Sequence, residues 1–249
     1  QYCLKLDNLQ DANEIRDACI DAFEKASKMK DAQARRQFLT FAVIGGGPTG
    51  TELAAELKQL FSDTFGKYYH NIYCAEEASV YLIQRGGELV PQFTPWMQRY
   101  VQDILTKRGV NILLHSTVTE VTPEGIFLAG GKFITAPHVI WVAGVTPKLC
   151  PFVPAASCDV SGRIHTNEYL MVLPHTTLSR EGRGNKKDEI NSMPRLSLDG
   201  RGPAEGGGEG EPSRIFALGD NAHVTDAQGK SLPMLAQVAV RQAPVVAKN

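Results

Sequence analysis

Apolar positions in the first 30 residues recur at the spacing of an α-helix. From Asp11 onward they lie at Ala12, Ile15, Cys19, Ala22, Phe23 and Ala26. Spacings of three and four place these side chains on one buried face. Asp7 or Asn8 can cap the start of the helix, and the basic residues near Lys28 suit the dipole at its end. We therefore interpret residues 1–38 as a linker and a helix that precede the first domain.

The middle of the chain alternates between continuous apolar runs and amphipathic stretches. Strand–helix alternation is typical of a parallel sheet covered by helices. Three shorter runs, separated by turn residues, predict an antiparallel excursion before the last strand. In chain order the predicted elements are a strand at 39–44, a helix at 51–61, a strand at 80–83, a helix at 95–108, strands at 110–114, 118–121, 125–128 and 133–135, and a strand at 139–142.

The last third of the chain changes character. Residues 178–213 combine Gly206–Gly208 with scattered charges and few apolar positions, so they predict a disordered insertion. A buried strand is expected at 215–218. A final helix is expected at 232–246, with Pro233 near its start and Pro244 limiting its end.

Composition excludes several classes of protein. The 26 basic and 27 acidic residues give a net charge of -1, which disfavours nucleic acid as a partner. The five cysteines include no pair at the spacing of a zinc site or a redox dithiol, so neither a metal nor a dithiol reductase is expected. No apolar run is long enough to span a membrane. Because the chain begins at Gln1 within an apparent linker, we expect it to be a fragment.

A glycine-rich turn follows the first predicted strand. Gly45, Gly47 and Gly50 stand in the G-x-G-x-x-G pattern, with Gly46 and Thr49 between them. The first glycine permits a tight turn, the second lets the backbone approach a pyrophosphate, and the third permits close helix packing. The pattern alone is weak, but here it lies between a strand and a helix. It therefore predicts a dinucleotide site.

The end of the second strand differs from the usual dinucleotide site. An acidic residue there commonly accepts hydrogen bonds from the ribose of NAD, whereas this chain has Gln84 followed by Arg85. One interpretation is that NADPH is accepted, because the amide does not repel a 2′-phosphate and the guanidinium can pair with it. The other is that Gln84 binds the ribose and Arg85 is solvated. We attribute the long spacing from Gly50 to a loop insertion between residues 62 and 79.

A third feature lies near the C-terminus. The run 215–218 leads into Gly219 and Asp220, which places a carboxylate at the end of a strand. Ligands of open α/β sheets collect at that end, and a carboxylate can accept hydrogen bonds from sugar hydroxyls. An Asp after a glycine is also common in simple turns.

The order of these segments resembles that of type II (alternative) NADH:quinone oxidoreductases. The resemblance covers most of the chain outside the insertion. The segments that carry it are Gly45–Leu57, Trp141–Val145, Ile215–Asp220 and Leu232–Gln242, together with Asp11, Ala12, Ile15 and Arg16 in the first helix.

The resemblance implies an α/β fold, with a three-layer Rossmann-like NAD(P)H-binding domain at 39–146 and part of a second, FAD-binding domain at 147–249. The parallel sheet of the first domain carries the antiparallel excursion. The cofactors implied are FAD and NADH or NADPH. The resemblance also implies that this fragment lacks the N-terminal FAD half and the C-terminal membrane-binding region.

The family's site residues map onto matching positions. Glu52 matches a glutamate near the nicotinamide that has a part in catalysis, and Gly144 matches a nicotinamide-side loop. Gly219, Asp220 and Ala236 lie on the FAD side, with Asp220 on its ribityl chain. The resemblance implies that Gln237 lies near the flavin ring and the quinone, as a second catalytic candidate. Arg241 and Gln242 complete the quinone side, where Arg241 replaces the family's usual glutamine.

The function implied is hydride transfer from NAD(P)H to FAD and then two electrons to a membrane quinone, without proton pumping. We expect peripheral attachment to the mitochondrial inner membrane, with the bacterial cytoplasmic membrane as the alternative, and allow a homodimer. The alternative function is an NAD(P)H-binding redox sensor or scaffold similar to apoptosis-inducing factor.

Overall fold

The structure of the chain, a computed structural model, describes residues 2–144, 158–173, 215–226 and 228–248. These residues belong to two units, 1–144 and 145–249, and each unit has a hydrophobic core of its own. The predicted disordered insertion at 178–213 lies outside the described residues.

The first unit follows the alternation expected from the sequence. Its elements are β1 (Leu4–Lys5), α1 (Leu9–Ala26), α2 (Ala32–Phe38), β2 (Thr40–Ile44), α3 (Pro48–Gln59), β3 (Ser79–Ile83), α5 (Pro95–Lys107), β4 (Val110–Leu113), β5 (Val118–Thr122), β6 (Gly125–Leu128), β7 (Phe133–Thr135) and β8 (His138–Trp141), with a short α4 (Cys74–Glu77) before β3. Asn8 caps α1 in a capping box with Asp11, as one of the two expected caps.

A five-stranded parallel sheet forms the centre of this unit, in the order β1-β8-β2-β3-β4. Side chains alternate across it. Phe41 and Val43 of β2 pack in the helix-side core, whereas Ala42 and Ile44 face the core shared with the antiparallel sheet β5-β6-β7. The α/β fold, its three layers and its antiparallel excursion are confirmed.

Two interpretations of this unit need correction. Residues 1–38 are not only a linker and a helix, because Leu4 and Lys5 pair with Ile140 and Trp141 at the edge of the sheet. The presumed loop insertion at 62–79 is largely helical. A π-helical turn at Leu60–Thr64 and a 3-10 turn at Phe65–Lys67 continue α3.

That insertion contributes to the core, which explains why it is ordered. Within the insertion, the ring of Phe65 lies 4.7 Å from that of Phe23. Just before it, the ring of Phe61 lies 5.0 Å from that of Phe23 and 4.8 Å from that of Phe41. The excess length between the glycine turn and β3 is therefore packed apolar structure.

In the second unit, β9 (Ile164–His165) pairs in parallel with β10 (Ala222–His223), and α6 (Ala236–Lys248) follows. The buried strand expected at 215–218 is wrong. Among the described residues this segment forms one antiparallel bridge, between Phe216 and Met171, flanked by backbone hydrogen bonds from Val172 to Ile215 and from Ala217 to Leu170. It is only partly buried, because Ile215 is 42% exposed.

The expected bounds of the last helix are also wrong. Pro233 precedes the helix, which begins at Ala236, and Pro244 lies inside it. Proline removes one helical hydrogen bond, to the carbonyl four residues earlier. That carbonyl belongs to Val240, which is exposed, so water can replace the missing donor. None of the described helices is both long and apolar enough to cross a membrane.

Candidate functional site

The glycine-rich turn joins β2 to α3 at the carboxyl edge of the parallel sheet. Gly45 follows β2 with a φ of 125°, a conformation that favours glycine. Gly47 is the N-cap of α3 and offers no side-chain cap, so the first N–H groups of this helix remain available. A Cβ on Gly47 would meet nothing within 4 Å. The turn therefore presents free donors and open space to an anionic group.

The other two glycines of the pattern are required by packing. A Cβ on Gly45 would lie 2.9 Å from the backbone nitrogen of Ala143. A Cβ on Gly50 would overlap the carbonyl oxygen of Gly45. The structure thus separates two glycines that let the backbone pack closely from one that leaves room for a ligand.

Gln84 is hydrogen-bonded to this turn. Its Oε1 accepts from the backbone N–H of Gly46 at 3.1 Å, and its Nε2 donates to the carbonyl of Glu88 at 3.3 Å. The N–H of Val90 in turn donates to the carbonyl of Gly46 at 2.7 Å. The peptide groups around Gly46 are therefore held on both sides by the segment 84–90. Arg85 is exposed.

Three further sequence-predicted residues lie on elements that meet this turn. The contact between Gly45 and Ala143 brings the end of β8, and with it Gly144, beside the turn. Gly144 has a φ of 86°, and among the described residues no atom would lie within 4 Å of an added Cβ. Thr49 and Glu52 are exposed, in the first and second turns of α3. The first unit thus collects all of its predicted site residues around one edge.

In the second unit Asp220 lies in a 3-10 turn, Gly219–Asn221, and is exposed. It does not end a strand, as the sequence suggested, but leads into β10. Gly219 has a φ of 62°, and its N–H donates to Oε1 of Gln242 at 2.6 Å. Gln242 is 3% exposed. Its amide therefore fixes the turn that carries Asp220.

The residues of α6 divide between two faces. Ala236, Gln237 and Arg241 are exposed in this unit, whereas Gln242 is buried against the Gly219 turn. The sequence predicts Gln242 on the quinone side with Gln237 and Arg241, and in this unit its side-chain oxygen accepts from the backbone of Gly219.

Sequence reasoning missed a charged cluster in the second unit. Asp159 accepts from Nε of Arg163 at 3.0 Å and lies 2.7 Å from Nδ1 of His223. Burial alone would raise the pKa of Asp159, but hydrogen bonds from Ser161, Arg163 and His223 outweigh it and hold that pKa well below its usual range. The sequence places only Asp159 and Arg163 close together. His223 is 64 positions from Asp159, so no local pattern indicates that it joins them.

Comparison with known proteins identifies the relatives of this chain. The model of the pyridine nucleotide-disulphide oxidoreductase family matches residues 3–177. The external alternative NAD(P)H-ubiquinone oxidoreductase B1 of Arabidopsis thaliana mitochondria is 31% identical over 69% of this chain and 31% of its own length. The type II NADH:quinone oxidoreductase Ndh of Mycobacterium tuberculosis is 27% identical over 100% of this chain and 46% of its own.

Among solved structures, the chain is similar to NDH2 from Plasmodium falciparum in complex with NADH. The TM-score is 0.64 at 19% sequence identity, over 91% of this chain and 40% of that one. This likeness supports the fold. The chain spans less than half the length of the curated relatives described above.

Proposed function

Since the chain belongs to the pyridine nucleotide-disulphide oxidoreductase family, we propose that it forms the NAD(P)H-binding part, and some of the FAD-binding part, of a type II NADH:quinone oxidoreductase. The observation that carries the proposal is the open N-terminus of α3 at Gly47, framed by closely packed glycines at 45 and 50. This is the geometry that a pyrophosphate requires.

The reaction follows from the cofactors that such a protein holds. Bound FAD would supply the two-electron redox chemistry between NAD(P)H and a membrane quinone. We propose that no proton is pumped. The chain supplies binding and orientation. The glycine turn holds the pyrophosphate, Gly144 leaves room on the nicotinamide side, and the exposed carboxylate of Asp220 accepts hydrogen bonds from the ribityl hydroxyls.

Other roles belong to the same proposal. Glu52 lies two residues beyond the glycine turn, on the helix whose N-terminus faces the coenzyme, which suits a role near the nicotinamide. Gln237 and Arg241 lie one helical turn apart on an exposed face of α6, where a flavin and a quinone can reach them. Ala236 lies beside Gln237 at the start of this helix.

The cellular setting is proposed from the relatives. Both mitochondrial and bacterial proteins match this chain, and we favour peripheral attachment to the mitochondrial inner membrane over the bacterial cytoplasmic membrane. A homodimer is compatible with this arrangement.

Coenzyme choice depends on Gln84. The neutral amide at the end of β3 does not repel a 2′-phosphate, and Arg85 follows it, so we propose that NADPH is accepted beside NADH. Gln84→Glu should lower the NADPH to NADH ratio of flavin reduction. It would also remove the Nε2 donor to Glu88, so Gln84→Met serves as a control that loses both side-chain hydrogen bonds without adding charge. An unchanged ratio in Gln84→Glu would contradict this account of coenzyme choice.

The test of the function is made on the full-length protein. Rapid mixing with NADH should bleach a bound flavin, and steady-state turnover should follow when a soluble ubiquinone analogue is added. Flavin that NADH bleaches without turnover on any quinone would overturn the quinone reductase and favour a redox sensor.

A further inference from the structure

The carboxyl edge of the sheet holds an imidazole that the glycine pattern does not include. We propose that His115 is a specificity-determining residue that contacts the adenosine half of the coenzyme. This inference rests on the proposed NAD(P)H site and adds a residue to it.

His115 lies just beyond β4, next to the segment that holds the glycine turn. Its backbone N–H donates to the carbonyl of Gly86 at 2.9 Å, and the backbone N–H of Ser116 donates to the carbonyl of Gln84 at 3.0 Å. A Cβ on Gly87 would lie 2.6 Å from Cε1 and 2.9 Å from Nε2 of His115. The ring therefore rests directly on the backbone of Gly87, and the residue is otherwise exposed.

The backbone at this edge is held in an unusual conformation. In the described part of the chain, three residues other than glycine have a positive φ, and two of them, Val90 (43°) and His115 (49°), lie here. A β-branched residue such as Val90 rarely adopts this conformation. Strain of this kind persists only where neighbouring hydrogen bonds fix it, and it is concentrated at ligand sites. Val90 and His115 each donate such a bond.

The position fits adenosine. In an open parallel sheet the first strand–turn–helix binds the pyrophosphate, and the residue at the end of the next strand contacts the ribose of the adenosine half. In this chain that residue is Gln84, and the backbone of residues 115 and 116 is hydrogen-bonded to the segment that begins there. The strands that lead to these two positions are β3 and β4, which end at Ile83 and Leu113. An exposed aromatic ring at the end of β4 offers a face on which a purine base can stack.

The experiment compares two reduced coenzymes. NADH contains adenosine, whereas reduced nicotinamide mononucleotide does not. His115→Asn keeps a residue that tolerates positive φ and removes the ring. This change should weaken NADH binding, measured by calorimetry, by roughly fivefold or more and leave the mononucleotide unchanged. Gly87→Ala should give the same pattern, because the new Cβ displaces the ring.

His70→Asn is the matched control, since His70 is exposed and lies in the helical insertion after α3. NADH binding as tight in His115→Asn as in the parent would overturn the proposal. Equal weakening of both coenzymes would also overturn it, because the ring would then act on a part of the site that the two coenzymes share. A parent protein that binds neither coenzyme would overturn the proposed function as well.

Discussion

The side-chain oxygen of Gln242 lies 2.6 Å from the backbone nitrogen of Gly219 and is the acceptor for it. These two residues are separated by 23 positions, yet the bond ties α6 to the turn that carries Asp220. The side chain of Gln242 is buried, so it acts on its surroundings through the backbone of Gly219, to which it is hydrogen-bonded. Gln242 is thus a positioning residue for Asp220.

Gln242→Leu should leave the N–H of Gly219 without its acceptor. An unpaired buried donor costs about 1–3 kcal/mol, so the second unit should melt at lower temperature and the full-length protein should retain less flavin. Gln228→Leu, the same substitution at an exposed turn of the same unit, should leave flavin retention unchanged. Equal flavin content in Gln242→Leu and the parent would contradict the positioning role.

Gly50→Ala should destabilise the first unit. The added Cβ would overlap the carbonyl of Gly45, so β2 and α3 must separate at a cost of about 1–3 kcal/mol. Urea unfolding monitored by circular dichroism measures the change. Gly66→Ala, where the nearest atom is 3.9 Å away, is the control. A Gly50→Ala protein as stable as that control would show that the two backbones are not in close contact.

Glu77→Ala should cost far more than an exposed carboxylate does. Glu77 accepts from Nε of Arg35 at 2.7 Å and from the N–H of Tyr73 at 3.1 Å, and its side chain is 3% exposed. Its hydrogen bond to Arg35 is the main reason why the pKa of Glu77 lies below its ordinary value. Removing it leaves the partly buried guanidinium of Arg35 with only the carbonyl of Met29 as acceptor, at a cost of about 1–3 kcal/mol in the free energy of unfolding.

Asp17→Ala is the matched control for that ion pair. Asp17 pairs with Arg16 at 2.6 Å, but both side chains are more than half exposed. Solvent screening limits such a pair to less than about 1 kcal/mol. If denaturation gives the same loss for both variants, the Arg35 pair does not stabilise the fold.

His138 should make the first unit sensitive to acid. Burial against Phe41, whose ring centroid is 4.5 Å away, lowers the pKa of His138 to about 4, although a hydrogen bond with the backbone of Phe38 opposes this. The unfolded chain therefore binds a proton that the folded chain does not between about pH 6.5 and pH 4. Stability is complete above that range and falls by up to about 3 kcal/mol across it.

His138→Phe should remove this component while keeping an aromatic ring beside Phe41. Urea midpoints measured at several pH values between 7.5 and 4.5 should fall less steeply in this variant than in the parent. His70→Phe, at an exposed position, should keep the parent's slope. Identical slopes in the parent and His138→Phe would contradict the assignment.

The sequence was most informative where local pattern and long-range packing agree. The alternation of apolar and amphipathic runs predicted β2, α3, β3, α5 and β4, because a parallel sheet buries its strands on both faces. The sequence also predicted that Gly45 and Gly50 permit a tight turn and close packing, since their spacing is that of the glycine pattern. Family resemblance added the expected role of Asp220 on the ribityl chain of FAD, which stays a prediction.

Polar residues with distant partners were less predictable. Lys58 reads as an ordinary charged residue on a helix, yet it is buried and donates to the carbonyls of Ala75 and Ala78 at 2.9 Å. Gln84 reads as a ribose contact but is hydrogen-bonded to the glycine turn. In each case the partner is a backbone group about 20 to 40 positions away, so no local pattern reveals the bond.

The central claim is that the N-terminus of α3 binds the pyrophosphate of NAD(P)H at Gly47. Gly47→Ala adds a methyl group where the structure has open space, so the fold should lose at most about 1 kcal/mol. The methyl group should nevertheless exclude the pyrophosphate. Calorimetric titration with NADH should show binding weakened at least about tenfold, the equivalent of one charge-assisted hydrogen bond. A folded Gly47→Ala protein that binds NADH as tightly as the parent would contradict the claim.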